Sequence, residues 1–467
     1  MPHGLVVAGL SGGSGKSVVA VGLVAALARQ GFKVVPFKKG PDYIDAGWLS
    51  LAAGRNCYNL DPYLMPRETL LDSFYHHCCG SEYILVEGNR GLYDGVDLEG
   101  SYCTAELSVN LRLPILLVVD CTKATRTIAA LVGGCQKFDR RVEIRGVVLN
   151  RIGGGRHEDI VRRSVEHYTG IPVVGAMPRA GKDVFPQRHL GITPCPEHDG
   201  ADEAISTLAD RAEQYIDVKR VRLLMGPVYC PEHWAGFPKG NVGKPRAGEK
   251  VRIGIIRDAA FQFYYPDNLE ALVRSGAELV KINALEDAAL PDLDCLYIGG
   301  GFPETSGEAL SANQTFLASL RDHAFCGLPI YAECGGLIYL GESMVVGGRE
   351  FPLAGIFPVH FTLAKKPQAH GYTDMIVTMA NPFYPEGTEI SGHEFRYSRI
   401  DQWEGDPASL ACRMDRGVGF SGGRDGLIFK NVLAMYTHVH ALGTPAWAPA
   451  LVNAAKMYRK SRKEVSG

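Results

Sequence analysis

The chain has 467 residues, 46% of them hydrophobic, and a formal net charge of −2. That length accommodates two large cores with room for a small subdomain, and the near-neutral charge supplies no basic field for nucleic acid or a membrane surface. No stretch approaches the roughly 20 apolar residues of a membrane span. The first strand begins almost at Met1, so the expectation is a cytoplasmic protein without a signal peptide, whose twelve cysteines are thiols.

Leu5 to Gly9 reads as a short apolar strand, Ser11-Gly12-Gly13-Ser14-Gly15-Lys16-Ser17 follows it, and Ser17 to Arg29 repeats apolar residues at helical spacing. This is a phosphate-binding loop in its proper context. Successive N–H groups of Gly12, Gly13, Ser14 and Gly15 can turn toward phosphate oxygens, Lys16 can reach the β/γ-phosphates, and the Ser17 hydroxyl can ligate Mg²⁺. The competing reading is a glycine-rich turn without a ligand. Leu10 stands where the common pattern has its first glycine. Ser11 stands where partitioning-type ATPase switches carry a signature lysine, which counts against such a switch.

Further strands are predicted at 33–37, 82–87, 114–120, 143–149 and 172–176, with helices between them. This gives an α/β domain with a doubly wound, mostly parallel sheet over residues 1–217. In such a sheet the ligand crevice lies at the carboxyl ends of the strands. Asp42, Tyr43 and Asp45 follow the second strand, Glu87 ends the third and Asp94 comes shortly after it. Glu87 is placed to direct a metal together with Ser17, while Asp42, Tyr43, Asp45 and Asp94 are placed to hold metal or to orient and activate a reacting carboxyl group. Each aspartate alone could equally be an N-cap or turn former.

Residues 218–250 carry four prolines among glycines and basic residues and read as an interdomain linker. Cys195-Pro196-Glu197-His198 and its repeat Cys230-Pro231-Glu232-His233 have a spacing that a zinc site could use, or that chance could produce.

A second α/β domain is expected over 251–467, opening with the strand Val251 to Ile256. Cys295 to Ile298 is a further strand, followed by Gly299-Gly300-Gly301-Phe302-Pro303-Glu304. Gly327 to Ala332 reads as a buried parallel strand and Gly335 onward as a helix, which puts Cys334 on the sharp turn between them. Such an elbow exposes a nucleophile and aims N–H groups at an oxyanion. The donors proposed are those of Gly300, Gly301 and Gly335. Tyr436-Thr437-His438-Val439-His440 follows the strand Asn431 to Met435 and supplies a base, His438 being preferred over His440, which shares its face by strand alternation. Many glutaminases have His-x-Glu at this point, so the usual orienting carboxylate is missing. His393, in Gly392-His393-Glu394-Phe395, is a candidate for site structure or a core histidine. A final helix is expected near 446–461.

These motifs, taken in order with Arg188-His189-Leu190-Gly191, Arg257 to Phe261 and Tyr264-Tyr265-Pro266, resemble the cobyrinate a,c-diamide synthase family over essentially the whole chain. The resemblance implies a P-loop amide ligase joined to a class I type glutamine amidotransferase domain. Its reaction would amidate the a and c acetate carboxylates of a tetrapyrrole with ATP, glutamine and Mg²⁺ through an acyl phosphate, with the two domains packed so that their sites face. The alternatives are a relative acting on a sirohydrochlorin-type ring, a P-loop switch, and a tetrapyrrole-binding protein without ligase chemistry. A polycarboxylate ring calls for a local basic surface, for which Arg179, Lys182, Arg188, His189, Lys365, Lys366 and Arg396 are nominated against the reading of ordinary solvated charges. No nucleic-acid or membrane partner is expected, and a homodimer is compatible with the sequence.

Overall fold

Seven short runs, most of them rich in Val, Leu and Ile, form the parallel part of one eight-stranded sheet in the computed structural model. The structure describes residues 1–179, 187–188, 191–192, 200–229 and 250–466. The chain divides into two units, Met1–Pro238 and Lys239–Gly467.

In the first unit the strands are β1 (His3–Gly9), β2 (Val34–Lys39), β3 (Tyr58–Leu60), β4 (Tyr83–Glu87), β5 (Ile115–Asp120), β6 (Ile144–Ile152) and β7 (Val173–Pro178). They lie in the order β3-β2-β4-β1-β5-β6-β7, every neighbouring pair parallel. β2 is buried along its whole length, as strands covered on both faces are. From β1 the chain runs first to one side of the sheet, through β2, β3 and β4, and then to the other, through β5, β6 and β7. The carboxyl ends of β1, β2 and β4 therefore meet at the switch point, where open parallel sheets bind ligands.

The expected linker begins later than its first residue suggests. Val218–Leu224 is a helix whose N-terminus is capped by Asp217, which accepts a hydrogen bond from Arg220 N at 2.9 Å. Gly226–Pro227 then pairs antiparallel with the start of β1. Burial of Val218 and Val221 holds this stretch on the first unit.

The second unit contains a six-stranded sheet in the order Ala277–Ile282, Val251–Ile256, Cys295–Ile298, Ile330–Glu333, Val432–Met435 and Leu427–Phe429, parallel except for the last pair. A five-stranded sheet includes Ala369–Val377, Glu389–Arg396 and His438–Val439. The chain leaves the first of these sheets at Met435 and joins the second at His438, opposite His393. The closing helix spans Trp447–Ser466 and buries Trp447 and Leu451.

Candidate active site

Cys334 follows the strand Ile330–Glu333 and caps the short helix Gly335–Tyr339 with φ 47° and ψ −98°. A non-glycine residue adopts positive φ only when its surroundings over-determine it. Here Cys334 N donates to Met435 O at 2.8 Å, and the following glycines allow a close approach. A Cβ on Gly336 would lie 2.5 Å from Ile298 O, and one on Gly335 would lie 3.0 Å from Gly301 N. The Gly300–Gly301 strand pairs with Phe261–Phe263 and brings this backbone beside the elbow.

His438 closes the site from the other side. It lies close enough to Cys334 for the sulfur to raise its pKa, and a Cβ on Gly300 would lie 2.3 Å from its Cε1. Its Nδ1 is 3.5 Å from Oε2 of the wholly buried Glu333. Burial opposes charge on this imidazole, but the Cys334 sulfur and Glu333 outweigh it and lift the His438 pKa to about 10. His393 stacks on the His438 ring at 4.9 Å between centroids, and its Nδ1 is 3.4 Å from the Tyr265 hydroxyl. Burial, reinforced by His438 and His440, holds the His393 pKa well below the usual imidazole value.

His440 has different partners. Its Nε2 is 3.7 Å from Asp267 Oδ2, its Nδ1 accepts from Leu442 N at 3.2 Å, and Tyr265 lies against its ring. Cys334, His438, Gly300, Gly301 and Gly335 are thus brought together, with His440 held apart. Position 440 carries no carboxylate, and the buried carboxylate beside His438 is that of Glu333, which sequence reasoning passed over. Its signal was available: a glutamate ending an apolar, buried strand needs a partner.

In the first unit, Gly15 precedes α1 (Lys16–Arg29) with φ 96°, and Gly13 has φ 72°. The open space over Gly12 and Gly13 contrasts with Gly15, where a Cβ would meet Asn150 Nδ2 at 2.1 Å. Asn150 Nδ2 donates to Ser14 O at 2.9 Å and fixes the base of the loop. Lys16 is buried and donates to Ser11 O at 3.1 Å. Burial, and then Lys38, lower its pKa.

Ser17 Oγ donates to Glu87 Oε1 at 2.8 Å and to Asp45 Oδ2 at 3.2 Å. Lys38, placed directly opposite Glu87 by the pairing of β2 with β4, reaches the same two oxygens. Its Nζ is 2.7 Å from Asp45 Oδ2, 3.0 Å from Glu87 Oε1 and 3.7 Å from Asp42 Oδ2. Burial opposes its charge, but Asp45 and Glu87 outweigh this and keep Lys38 protonated. Burial likewise opposes ionisation of Asp45, and Lys38 overrides it. Burial pushes Glu87 up to about 7. Asp42 also caps α2 (Tyr43–Ala53), accepting from Asp45 N at 3.0 Å, so its capping and site readings coincide. Tyr43 opens that helix. Asp94 stands somewhat apart, accepting from Gly91 N at 2.9 Å while contributing to the field at Lys16. Lys38 is the second residue that the sequence reading missed.

Among the described residues, Glu87 Oε2 is a buried oxygen without a hydrogen-bond partner. With Ser17 Oγ beside it, this suits a Mg²⁺ ion completed by phosphate oxygens and water, the usual habit of that ion. No group of three or more His, Cys, Asp or Glu among the described residues forms a metal cage. The paired Cys-Pro-Glu-His segments lie outside the described residues, as do Lys182 and His189. Of the other proposed basic residues, Arg179, Lys365 and Lys366 are exposed, and Arg188 lies in the strand Gln187–Arg188. Arg396 must be withdrawn from that surface. It is buried over the Tyr436 ring at 3.8 Å, and its guanidinium donates to Ser398 O and Gly419 O.

Residues 5–188 match the family model of the CobQ/CobB/MinD/ParA nucleotide binding domain, and residues 252–446 match that of the CobB/CobQ-like glutamine amidotransferase domain. Fold and site thereby define a glutamine-hydrolysing ligase that uses ATP. A cobyrinate a,c-diamide synthase of Magnetococcus marinus is 43% identical, covering 94% of this chain and 94% of its own length. Those of Archaeoglobus fulgidus and Methanosarcina acetivorans are each 38% identical, covering 97% and 96% of this chain and 97% and 94% of their own lengths. The chain belongs to the cobyrinate a,c-diamide synthase family. No helix among the described residues is long and apolar enough to cross a membrane.

Proposed function

We propose that this protein converts the a and c acetate carboxylates of cobyrinate to amides in the cytoplasm, with ATP activating each carboxylate and glutamine supplying the nitrogen. The observation that carries this reading is the Cys334 elbow with His438 packed against its glycines, in a chain whose other unit sets Ser17, Asp45 and Glu87 beside a phosphate loop.

A carboxylate resists ammonia because oxide cannot leave. One carboxylate oxygen attacks the γ-phosphorus, the bond to the bridging oxygen breaks, and ADP departs, leaving an acyl phosphate. Lys16 and the loop amides of Gly12, Gly13, Ser14 and Gly15 hold the phosphates, while Lys38 keeps Asp45 charged and in place at the base of the cluster. Ser17 and Glu87 would hold Mg²⁺, whose chemistry there is neutralisation of phosphate charge. Asp42, Tyr43, Asp45 and Asp94 are assigned the task of orienting the reacting carboxyl group.

In the second unit the Cys334 sulfur attacks the glutamine side-chain carbonyl. N–H groups at Gly300, Gly301 and Gly335 receive the oxyanion. His438 gives its proton to the departing nitrogen, the C–N bond breaks, and ammonia leaves behind a thioester. Water then attacks the thioester, loses its proton to His438, and releases glutamate and the Cys334 thiolate. Ammonia attacks the acyl phosphate in turn, phosphate leaves, and the nitrogen loses a proton to give the amide.

Release of ADP from ATP, followed with cobyrinate and a sirohydrochlorin-type ring in parallel, tests the reading. ADP formation that depends on both cobyrinate and a nitrogen donor supports it. Release that ignores the tetrapyrrole, or that responds to the sirohydrochlorin ring alone, sinks it.

A further inference from the structure

His438 needs its Nδ1 held if its other nitrogen is to serve a thiol, and position 440 carries no carboxylate to do this. Glu333 offers one from the nucleophile's own strand. Its Oε2 lies 3.5 Å from His438 Nδ1 and also accepts from the Tyr297 hydroxyl at 3.2 Å, while its Oε1 accepts from Val439 N at 3.3 Å. Both oxygens are therefore engaged, one of them by the backbone residue after His438.

We infer that Glu333 is the positioning carboxylate of the glutaminase, acting on Cys334 through His438. A carboxylate facing Nδ1 fixes the proton on that nitrogen and leaves Nε2 to exchange a proton with the thiol. The inference rests on the glutaminase reading above and adds to it the group that orients the base. The elevated pKa of His438 agrees, since Glu333 is among the groups that raise it.

The backbone before His438 has an independent anchor, so Glu333 is not needed merely to hold the segment in place. Asp425 is wholly buried and accepts from Tyr436 N, Thr437 N and the Thr437 hydroxyl, each at 3.1 Å. A change at Glu333 that preserves shape should therefore disturb the imidazole more than the chain that carries it.

Glu333→Gln keeps the size and an acceptor oxygen and removes the charge. We expect kcat for glutamine hydrolysis to fall about 10²-fold, the low end of what proton transfer by a positioned base contributes. KM for glutamine and ammonia-dependent amidation should stay at wild-type values, and iodoacetamide should alkylate Cys334 more slowly at neutral pH. In a His438→Ala background the same substitution should slow alkylation no further, because its effect passes through the histidine. If Glu333→Gln does not fold, Glu333→Asp carries the test: reduced kcat with normal ammonia-dependent turnover supports the inference, and wild-type kcat overturns it. Unchanged kcat in folded Glu333→Gln also overturns it, as does equal loss of glutamine- and ammonia-driven turnover. Failure of the glutaminase reading itself would look different, with Cys334→Ala still using glutamine.

Discussion

Gly300→Ala adds one methyl group at the most crowded point of the glutaminase. The new carbon would lie 2.3 Å from His438 Cε1, 3.2 Å from Nε2 and 3.3 Å from Nδ1. Carbon atoms rest about 3.5–4.0 Å apart, so the overlap exceeds about 1 Å. Gly300 is pinned by its pairing with Phe263, and a Cβ on the neighbouring Gly301 would already meet Ala260 O at 2.0 Å. The ring has no easy retreat either, with His393 stacked on one face and Phe263 at its edge. It must therefore shift from Cys334 by about 1 Å, a misplacement that costs about 10²-fold in rate. Overpacking adds a stability loss of about 1–3 kcal/mol. The assay is ammonia release from glutamine in the presence of ATP and cobyrinate, with ammonia-dependent amidation as the internal control. Wild-type glutamine turnover in a folded Gly300→Ala protein would refute the apposition of Gly300 and His438.

Lys16→Ala and Glu87→Ala should remove amidation with either nitrogen donor, because both residues act before ammonia is used; product formation with ammonium salts checks this. His438→Ala should lose glutamine-driven turnover while keeping the ammonia reaction. His440→Ala should instead lower the thermal midpoint by leaving the buried Asp267 without its histidine, with a milder effect on glutamine kcat; kinetics and melting of the two variants side by side would expose a reversal. Arg396→Met should leave the tetrapyrrole KM unchanged and destabilise the protein by about 3–5 kcal/mol, the cost of leaving the buried Glu394, whose Oε2 lies 3.7 Å from Arg396 Nε, without its cation, as denaturant unfolding would measure. Charge removal at Lys365 and Lys366 is the contrast, with a raised tetrapyrrole KM expected.

The elements that sequence reasoning placed are those with strong local signatures. The phosphate loop, the Cys334 elbow and the long apolar strands announce themselves within a dozen residues. β3 has three residues and leaves too little periodicity to read. Lys38 and Glu333 were missed for another reason. Lys38 is explained by the turn after its strand, which folds Asp45 back onto its ammonium, and by the register that sets it opposite Glu87, and Glu333 by a histidine on a strand of another sheet; none of these contacts follows from local periodicity. Alternation alone puts His438 and His440 on one face. Their neighbours in the structure differ, the first lying at Cys334 and the second at Asp267. Arg396 was taken for a surface cation because isolated arginines usually are, and the Tyr436 ring that covers it comes from a residue remote in sequence.

The division of labour between the two chemistries is tested most directly by weighing the product made from cobyrinate, ATP and Mg²⁺ with either glutamine or ammonia, in wild-type protein and in Cys334→Ala. Wild type should give the a,c-diamide with both donors, and Cys334→Ala with ammonia alone. Diamide formed from glutamine by Cys334→Ala, or no amidation of cobyrinate by the wild-type protein, would contradict this expectation.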